Sequence, residues 1–223
     1  MSLYFAKTPN IIQKIFKNFV WSFSSSVSDK KVIYLTFDDG PTPEITNWTL
    51  NILKVYNANA TFFCIGKNVK NHPEIAQNII AQGHRIGNHT HNHLNGWKTN
   101  TENYLNNVLI AEKVISTTGN HQTPNSKFQT NKLFRPPYGK IKNKQSKLLL
   151  EKGYKIIMWD VLSADFDQSI TAEKCLNNVI KNTENGSIVI FHDSLKAEKN
   201  LKYALPKVLA HFSRKGYSFK VLE

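Results

Sequence analysis

VIYLTF at residues 32–37 and ATFFCI at residues 60–65 enclose a helical pattern near 44–57, and this stretch decides the fold. Two short apolar runs that are rich in β-branched and aromatic residues and joined by a helix are typical of neighbouring parallel strands. The same alternation continues along the chain. It predicts further strands at 84–88, 132–135, 154–159, 187–191 and 217–222, and helices near 73–82, 101–118, 143–152, 171–183 and 200–214.

The number of strands predicts the architecture. Seven strand–helix units indicate an α/β fold with a closed or partly closed barrel of about seven parallel strands. An open doubly wound sheet is the alternative, because periodicity does not report whether a sheet closes. Gly83, Gly153 and Gly216 follow predicted helices, as C-terminal caps often do. The polar stretch 119–131 is expected to be a surface loop and not a domain boundary.

The first thirty residues are expected to form an N-terminal extension, 1–30, to a single domain at 31–223. Apolar side chains recur at helical spacing in this extension, at Ile12, Ile15, Phe16 and Phe19. They predict a short amphipathic helix that packs on the domain, with a helix on a membrane surface as the alternative. Lysines interrupt the apolar residues, so the sequence predicts neither a signal peptide nor a transmembrane segment, and it leaves the compartment open.

The charge of the chain bears on its partners. Lys and Arg number 29 against 16 Asp and Glu, a formal net charge of +13, which attracts polyanions. The basic residues are scattered and form no binding motif, so nucleic acid is not an expected partner. Nothing in the sequence implies a protein partner. Cys64 and Cys175 lie far apart without CxxC spacing and are expected to be buried apolar side chains.

The residues that carry chemistry follow the predicted strands, at Asp38-Asp39-Gly40, His89 to His93, Arg135 to Tyr138, Asp160 to Asp165 and His192-Asp193. In a parallel α/β fold the carboxyl ends of the strands face one rim, where active sites are built. The adjacent carboxylates of Asp38 and Asp39 would repel each other in a cleft, so a cation is expected beside them. An Asx turn before Gly40 is the structural alternative.

The segment GNHTHNH at 87–93 supplies candidate metal ligands. His89 and His93 are four residues apart, and on one helical face this spacing lets two imidazoles bind one metal. His91 is the competing ligand if the segment is extended. Two histidines and one carboxylate leave a coordination position open for water, as in catalytic metal sites. The donors suit one Zn²⁺ ion best, with Co²⁺, Ni²⁺ or Fe²⁺ as alternatives.

Five motifs together resemble those of the NodB-homology polysaccharide deacetylases, carbohydrate esterase family 4. In order they are TFDDG at 36–40, HTHNH at 89–93, RPPY at 135–138, the stretch 159–165 that runs from Trp to Asp, and IFH at 190–192. The resemblance covers about Val32 to Glu223 and implies a distorted (β/α) barrel of about seven strands. It identifies the predicted domain as the catalytic domain.

The resemblance also implies roles for single residues. It implies that Asp39, His89 and His93 bind the metal and that Asp38 is the general base, paired with Arg135. It further implies that the backbone N–H of Tyr138 helps to stabilise the oxyanion and that His192 is the general acid. These roles are chemically consistent, because a carboxylate can take a proton from water as it attacks an acetamide, and a protonated histidine can donate one to the departing amine. Asp165 could orient either His192 or Arg135.

The fourth motif departs from the family pattern. Members often have DxxDW, whereas this chain has Leu162-Ser163-Ala164-Asp165-Phe166, so the first acid is missing and Phe replaces Trp. The groove wall is therefore expected to be apolar but narrower. Leu162 and Ile190 are expected to line a pocket for the acetyl methyl group, with core packing as the alternative. The expected groove residues are Pro137, Tyr138, Trp159, Leu162, Phe166 and Ile190.

The expected function is removal of N-acetyl groups from a polymer that contains N-acetylglucosamine, such as peptidoglycan or a chitin-like glycan. The partner is therefore an acetylated amino-sugar polymer. Two alternatives remain at this point: an O-acetyl esterase that acts on acetylxylan with the same site, and a catalytically silent glycan-binding module. The presence of an acid, a base and three candidate ligands speaks against the silent module.

Overall fold

The longest strand, β1 at Lys31–Asp38, lies inside a parallel sheet. The computed structural model describes residues 4–23, 31–118 and 132–223, so the predicted loop 119–131 lies outside the described residues. The other strands are β2 (Ala60–Cys64), β3 (Arg85–Asn88), β4 (Lys132–Phe134), β5 (Tyr154–Ile156), β6 (Val161–Leu162), β7 (Ile188–His192) and β8 (Tyr217–Phe219). The helices are α1 (Asn10–Ile15), α2 (Ile45–Val55), α3 (Gly66–Asn71), α4 (Pro73–Ala81), α5 (Thr101–Thr118), α6 (Asn143–Glu151), α7 (Ala172–Ile180) and α8 (Glu198–Arg214).

The order of the strands is that of a barrel. Seven strands pair in the order β5-β4-β3-β2-β1-β7-β6, and every pair is parallel. If the two ends of this order are joined, the strands follow one another around a ring as they do along the chain. The ring is broken between β5 and β6, because no ladder within the described residues joins these two strands. The sheet therefore curls into a half-barrel, which confirms the predicted distorted barrel. A doubly wound sheet would instead reverse its order at a switch point, so that alternative is wrong.

The membership of the sheet differs from the prediction at two strands. β6 was not predicted, because two residues at 161–162 are too short to show a periodicity. The predicted strand 217–222 ends at Phe219, and it lies beside the main path, paired with the start of β1. The predicted number of seven strands in the main sheet is therefore correct, but β6 takes the place of the last predicted strand.

The core forms where the sheet meets its helices. Phe37 of β1 stacks on Phe62 of β2 and Phe191 of β7, with ring centroids 4.9 and 6.1 Å apart, and none of the three is exposed to solvent. Each fully buried side chain of this kind contributes about 1.5–3 kcal/mol relative to an exposed one. Cys64 and Cys175 are both buried and unpaired, as predicted. These contacts fix the spacing of the strands, and with it the positions of the residues at their ends.

The N-terminal segment 4–23 lies across the break in the barrel. Val20 bridges to Ile157 just after β5, and Lys7 bridges to Val161 at the start of β6. Helix α1 is shorter than the apolar pattern predicted, and the Ile15 side chain is 65% exposed. Ile12 and Phe19 pack against a buried cluster around Trp21 instead. No helix among the described residues is both long enough and apolar enough to cross a membrane.

Candidate active site

The predicted site residues meet at the carboxyl ends of the strands. Asp38 and His192 are the last residues of β1 and β7 and are paired in register. His89 follows β3 directly, and Arg135 follows β4. Asp165 lies three residues beyond β6. The parallel sheet thus brings together side chains that are up to 154 positions apart in sequence, the separation of Asp38 and His192 (192 − 38).

Three side chains form a cluster that could hold a metal ion. The ligand atoms of Asp39, His89 and His93 all lie within 4.8 Å of one another. Asp39 Oδ1 is 3.2 Å from His93 Nε2 and 3.7 Å from His89 Nε2. Burial would raise the pKa of Asp39, but its hydrogen bond with His93 and the nearby His192 and His89 lower it below its usual value. The carboxylate is therefore ionised and faces two imidazoles.

The two histidines converge from a loop and not from a helix. Residues 89–93 have no helical structure, and Thr90 and His93 have positive φ angles of 61° and 54°. The expectation of one shared helical face was therefore wrong, although the two rings lie 5.1 Å apart. His91 lies outside the cluster, and its Nδ1 is 2.7 Å from the place where a Cβ on Gly66 would lie. His91 can lie this close only because Gly66 has no side chain.

Two asparagines shape this loop, and sequence reasoning did not single them out. Asn88 Oδ1 accepts a hydrogen bond from the N–H of Thr90 at 2.8 Å, and Asn88 Nδ2 donates to the carbonyl of Val108. Asn107 Oδ1 accepts from the N–H groups of His91 and Asn92 at 2.8 and 2.9 Å. Side-chain amides thus replace the hydrogen bonds that a helix would have provided.

Arg135 is completely buried and anchors Asp38. Its Nη1 donates to Asp38 Oδ1 at 2.8 Å and to Thr36 Oγ1 at 2.7 Å. Its remaining nitrogens donate to the carbonyls of Ile157 and Met158. Burial lowers the pKa of Arg135, while the charge of Asp38 raises it. The guanidinium thus has a partner in each direction, and Thr36 is a site residue that sequence reasoning missed.

His192 is held by Asp165. The imidazole Nδ1 lies 2.8 Å from Asp165 Oδ1, and the backbone N–H of His192 donates to Asp165 Oδ2 at 2.7 Å. Burial alone would lower the pKa of His192, but the charge and hydrogen bond of Asp165 outweigh it and raise the pKa to about 9. The imidazole is therefore protonated at neutral pH. Asp165 contacts His192 and not Arg135 in this arrangement.

Asp193 is a further buried residue to which sequence reasoning gave no role. It is fully buried, and its Oδ1 accepts a hydrogen bond from the N–H of Gly40 at 3.1 Å while Oδ2 accepts from the hydroxyl of Thr46. Burial and the charge of Asp39 raise the pKa of Asp193 to about 8, against the hydrogen bonds from Thr46 and from backbone N–H groups, which lower it. A Cβ on Gly40 would lie 2.1 Å from Asp193 Oδ2, so this packing requires glycine. Asp193 thus fixes the turn that follows Asp39.

The expected groove residues divide into an exposed and a buried group. The Tyr138 ring is 59% exposed and lies 4.5 Å from the His93 ring, on a turn where Tyr138 has a φ of 61°. Pro137 before it is buried. The other four expected groove residues share one apolar cluster, in which Leu162 and Ile190 are buried and Trp159 and Phe166 are partly buried. Despite the altered fourth motif, the Phe166 ring still packs edge-on against His192 at 5.0 Å.

Comparison with known proteins gives the class to which this fold and site belong. The polysaccharide deacetylase family profile matches residues 25–157. A peptidoglycan-N-acetylglucosamine deacetylase of Bacillus cereus is 34% identical over 193 residues, 86% of this chain and 86% of that protein. Chitin deacetylase 2 of Saccharomyces cerevisiae is 32% identical over 180 residues, 78% of this chain and 54% of that protein.

A solved structure gives the same result. The crystal structure of a peptidoglycan N-acetylglucosamine deacetylase in complex with 4-naphthalen-1-yl-N-oxidanyl-benzamide has a TM-score of 0.83 and 32% identity, and the match covers 96% of this chain and 95% of that one. The protein belongs to the polysaccharide deacetylase family. The expected resemblance and the expected enzyme class, a polysaccharide deacetylase, are both confirmed.

Proposed function

We propose that the protein removes the N-acetyl group from N-acetylglucosamine residues of a peptidoglycan-type glycan. The observation that carries the proposal is the convergence, at one rim, of a cluster suited to a metal, a buried carboxylate and a protonated histidine. Peptidoglycan is favoured over chitin because the Bacillus cereus relative that is matched over 86% of its length is a peptidoglycan-N-acetylglucosamine deacetylase. In addition, a net charge of +13 suits an anionic polymer.

A single divalent metal fits Asp39, His89 and His93. The Nδ1 of His89 lies 2.8 Å from the carbonyl oxygen of Arg135, which leaves its Nε2 for a metal, as is usual for histidine ligands. Two imidazoles and one carboxylate favour Zn²⁺, with Co²⁺, Ni²⁺ or Fe²⁺ as alternatives. When bound, such a metal lowers the pKa of a water molecule and polarises a carbonyl group.

Asp38 is the proposed general base. Arg135 holds its Oδ1, while its Oδ2 lies 3.8 Å from His89 Nε2 and therefore on the side of the cluster. Oδ2 would take the proton from the water that attacks the acetyl carbonyl. Arg135 contributes by fixing the orientation of this carboxylate, since its other donors are bound to the barrel.

His192 is the proposed general acid, and Asp165 keeps it protonated and oriented. It would donate a proton to the amine nitrogen as the C–N bond breaks. The backbone N–H of Tyr138, on a turn with positive φ, is the proposed donor to the oxyanion. Leu162 and Ile190 would receive the acetyl methyl group. Pro137, Tyr138, Trp159 and Phe166 would form the walls on which a sugar ring rests.

Acetate release separates this function from its alternatives. We expect the metal-loaded enzyme to release acetate from peptidoglycan fragments most efficiently, from chitooligosaccharides more slowly and from acetylxylan hardly at all. The measurement is kcat/KM at equal acetyl content. Release from acetylxylan alone would indicate an O-acetyl esterase. No release from any of the three would indicate a glycan-binding module.

Metal removal tests the ligand assignment. We expect a chelator to abolish activity and Zn²⁺ or Co²⁺ to restore it. His93→Ala should lose bound metal, measured by elemental analysis, because the variant keeps only two of the three ligands. His91→Ala is the matched control and should retain one metal per chain. Metal loss in His91→Ala with retention in His93→Ala would overturn the assignment.

The pH profile tests the role of His192. Because the pKa of His192 is raised to about 9, kcat should fall as the pH rises through 9. Asp165→Asn removes the charge that raises this pKa, so the falling limb should move toward pH 6.5. The same raised pKa affects stability. The ion pair of His192 with Asp165 stabilises the folded state fully below pH 6.5, the pKa of histidine in the unfolded chain, and this stabilisation is lost as the pH rises through about 9. An unchanged limb in Asp165→Asn would contradict the assignment.

A further inference from the structure

An exposed tryptophan lies on a short turn that contacts the loop after Tyr138. Trp97 belongs to a short 3₁₀ turn at Gly96–Lys98, and its side chain is 60% exposed. Its Nε1 donates to the carbonyl of Ile141 at 3.1 Å, so the ring has a fixed orientation. The N–H of Gly96 donates to the carbonyl of Lys140 at 3.1 Å, and a Cβ on Gly96 would lie 2.4 Å from that oxygen. The two loops are therefore in direct contact.

Positive charge lies beside this ring. The ammonium group of Lys140 lies 5.3 Å from the centroid of the Trp97 ring. Segments 95–99 and 138–147 contain five lysines and no acidic residue: Lys98, Lys140, Lys142, Lys144 and Lys147. In the described parts of the chain, no ion pair reaches any of the five. An exposed aromatic ring thus carries, over one of its faces, an ammonium group that forms no ion pair within the described residues.

The Trp97 turn is continuous with the catalytic rim. Lys140 is two residues from Tyr138, a separation of at most about 7 Å along the chain. The ring of Tyr138 in turn lies 4.5 Å from that of His93. Trp97 is therefore within reach of a sugar that neighbours one resting near Tyr138.

We propose that Trp97 and Lys140 form a subsite for a sugar that carries a carboxylate, next to the N-acetylglucosamine unit that is deacetylated. The face of the indole that Lys140 does not cover stacks on the ring of the sugar, and the ammonium group of Lys140 pairs with the carboxylate. The inference rests on the proposed function and adds the means by which the enzyme distinguishes an anionic glycan from a neutral one. The alternating glycan of peptidoglycan has this chemistry wherever the lactyl ether of its muramic acid carries a free carboxylate and not a stem peptide.

Three tetrasaccharides test the subsite. The first alternates N-acetylglucosamine with N-acetylmuramic acid, the second is the same molecule with its carboxylates converted to methyl esters, and the third is the neutral N-acetylglucosamine tetramer. Lys140→Gln should lower kcat/KM about threefold to fivefold on the first substrate and leave the other two unchanged, since one exposed ion pair is lost. The difference should shrink in high salt.

Variants of Trp97 test the stacking contribution. Trp97→Ala should lower kcat/KM on all three tetramers by about tenfold, mainly by raising KM, and should leave activity on the N-acetylglucosamine monosaccharide unchanged. Trp97→Phe keeps an aromatic face and should restore most of the loss. Lys54→Gln, at an exposed lysine on α2, is the matched charge control and should change nothing.

The outcomes separate this inference from the proposed function. If the wild-type enzyme releases acetate but Lys140→Gln affects charged and neutral tetramers equally, the subsite is wrong and the deacetylase function stands. A Trp97→Ala variant with equal losses on monomer and tetramer would also overturn the subsite. If the wild-type enzyme releases acetate from none of the tetramers, the proposed function fails instead. Thermal unfolding of each variant identifies any loss that is due to misfolding.

Discussion

Asp38→Asn is expected to lower kcat for acetamide hydrolysis by about 10²–10⁴-fold, the range for loss of a general base. The amide has the shape of the carboxylate, and its oxygen can still accept from Arg135 Nη1, so the local structure should persist. The variant cannot take a proton from the attacking water. KM should change little, because the lost interaction acts mainly in the transition state.

The metal content of Asp38→Asn provides the control. Asp39, His89 and His93 are unchanged, so the variant should bind one divalent ion per chain, as the wild type is expected to do. A variant that keeps its metal and most of its turnover would show that another group is the base. A variant that loses its metal would show that Asp38 is itself a ligand.

Arg135→Met is expected to lower the free energy of unfolding by about 3–5 kcal/mol, the cost of leaving one member of a buried ion pair without its partner. The change removes every hydrogen bond of the guanidinium, including those to Asp38, Thr36 and two backbone carbonyls. It also removes the contact of the guanidinium with the Phe63 ring, whose centroid lies 4.2 Å away. Urea unfolding measures the loss.

Two further variants make this prediction specific. Arg214→Met removes an arginine on the exposed face of α8 and should change the stability by no more than about 0.5 kcal/mol. The double variant Arg135→Met/Asp38→Asn should regain part of the loss, because it no longer buries an unpaired charge. If Arg135→Met were as stable as the wild type, the ion pair would have no structural role.

Periodicity predicted the α/β class because β1, β2 and β7 are continuous apolar runs whose neighbours are helices. It could not predict β6, since two residues define no period, nor the break beside it, since that break depends on distant pairing. The order of the strands became visible only in the structure. Local patterns identify elements, whereas closure depends on contacts between residues far apart in sequence.

The site was predictable to the extent that its residues follow strands. Asp38, His89, Arg135 and His192 were found because the carboxyl ends of parallel strands meet. The spacing of His89 and His93 led to the wrong local structure, because amide side chains, and not a helix, hold that loop. Thr36 was missed, and Asp193 was singled out but given no role, because their partners, Arg135 and Gly40, are distant in sequence.

The segment that crosses the break between β5 and β6 also bears on how the protein folds. The ion pair of Lys7 with Asp160 joins residues 153 positions apart, and closing so long a loop costs about as much entropy as pairing β1 with β7. Contacts of such high sequence separation form slowly. Until this segment docks, the edges of β5 and β6 keep unpaired backbone groups that can recruit strands from other chains. The N-terminal segment therefore protects the barrel against aggregation by covering these two edges.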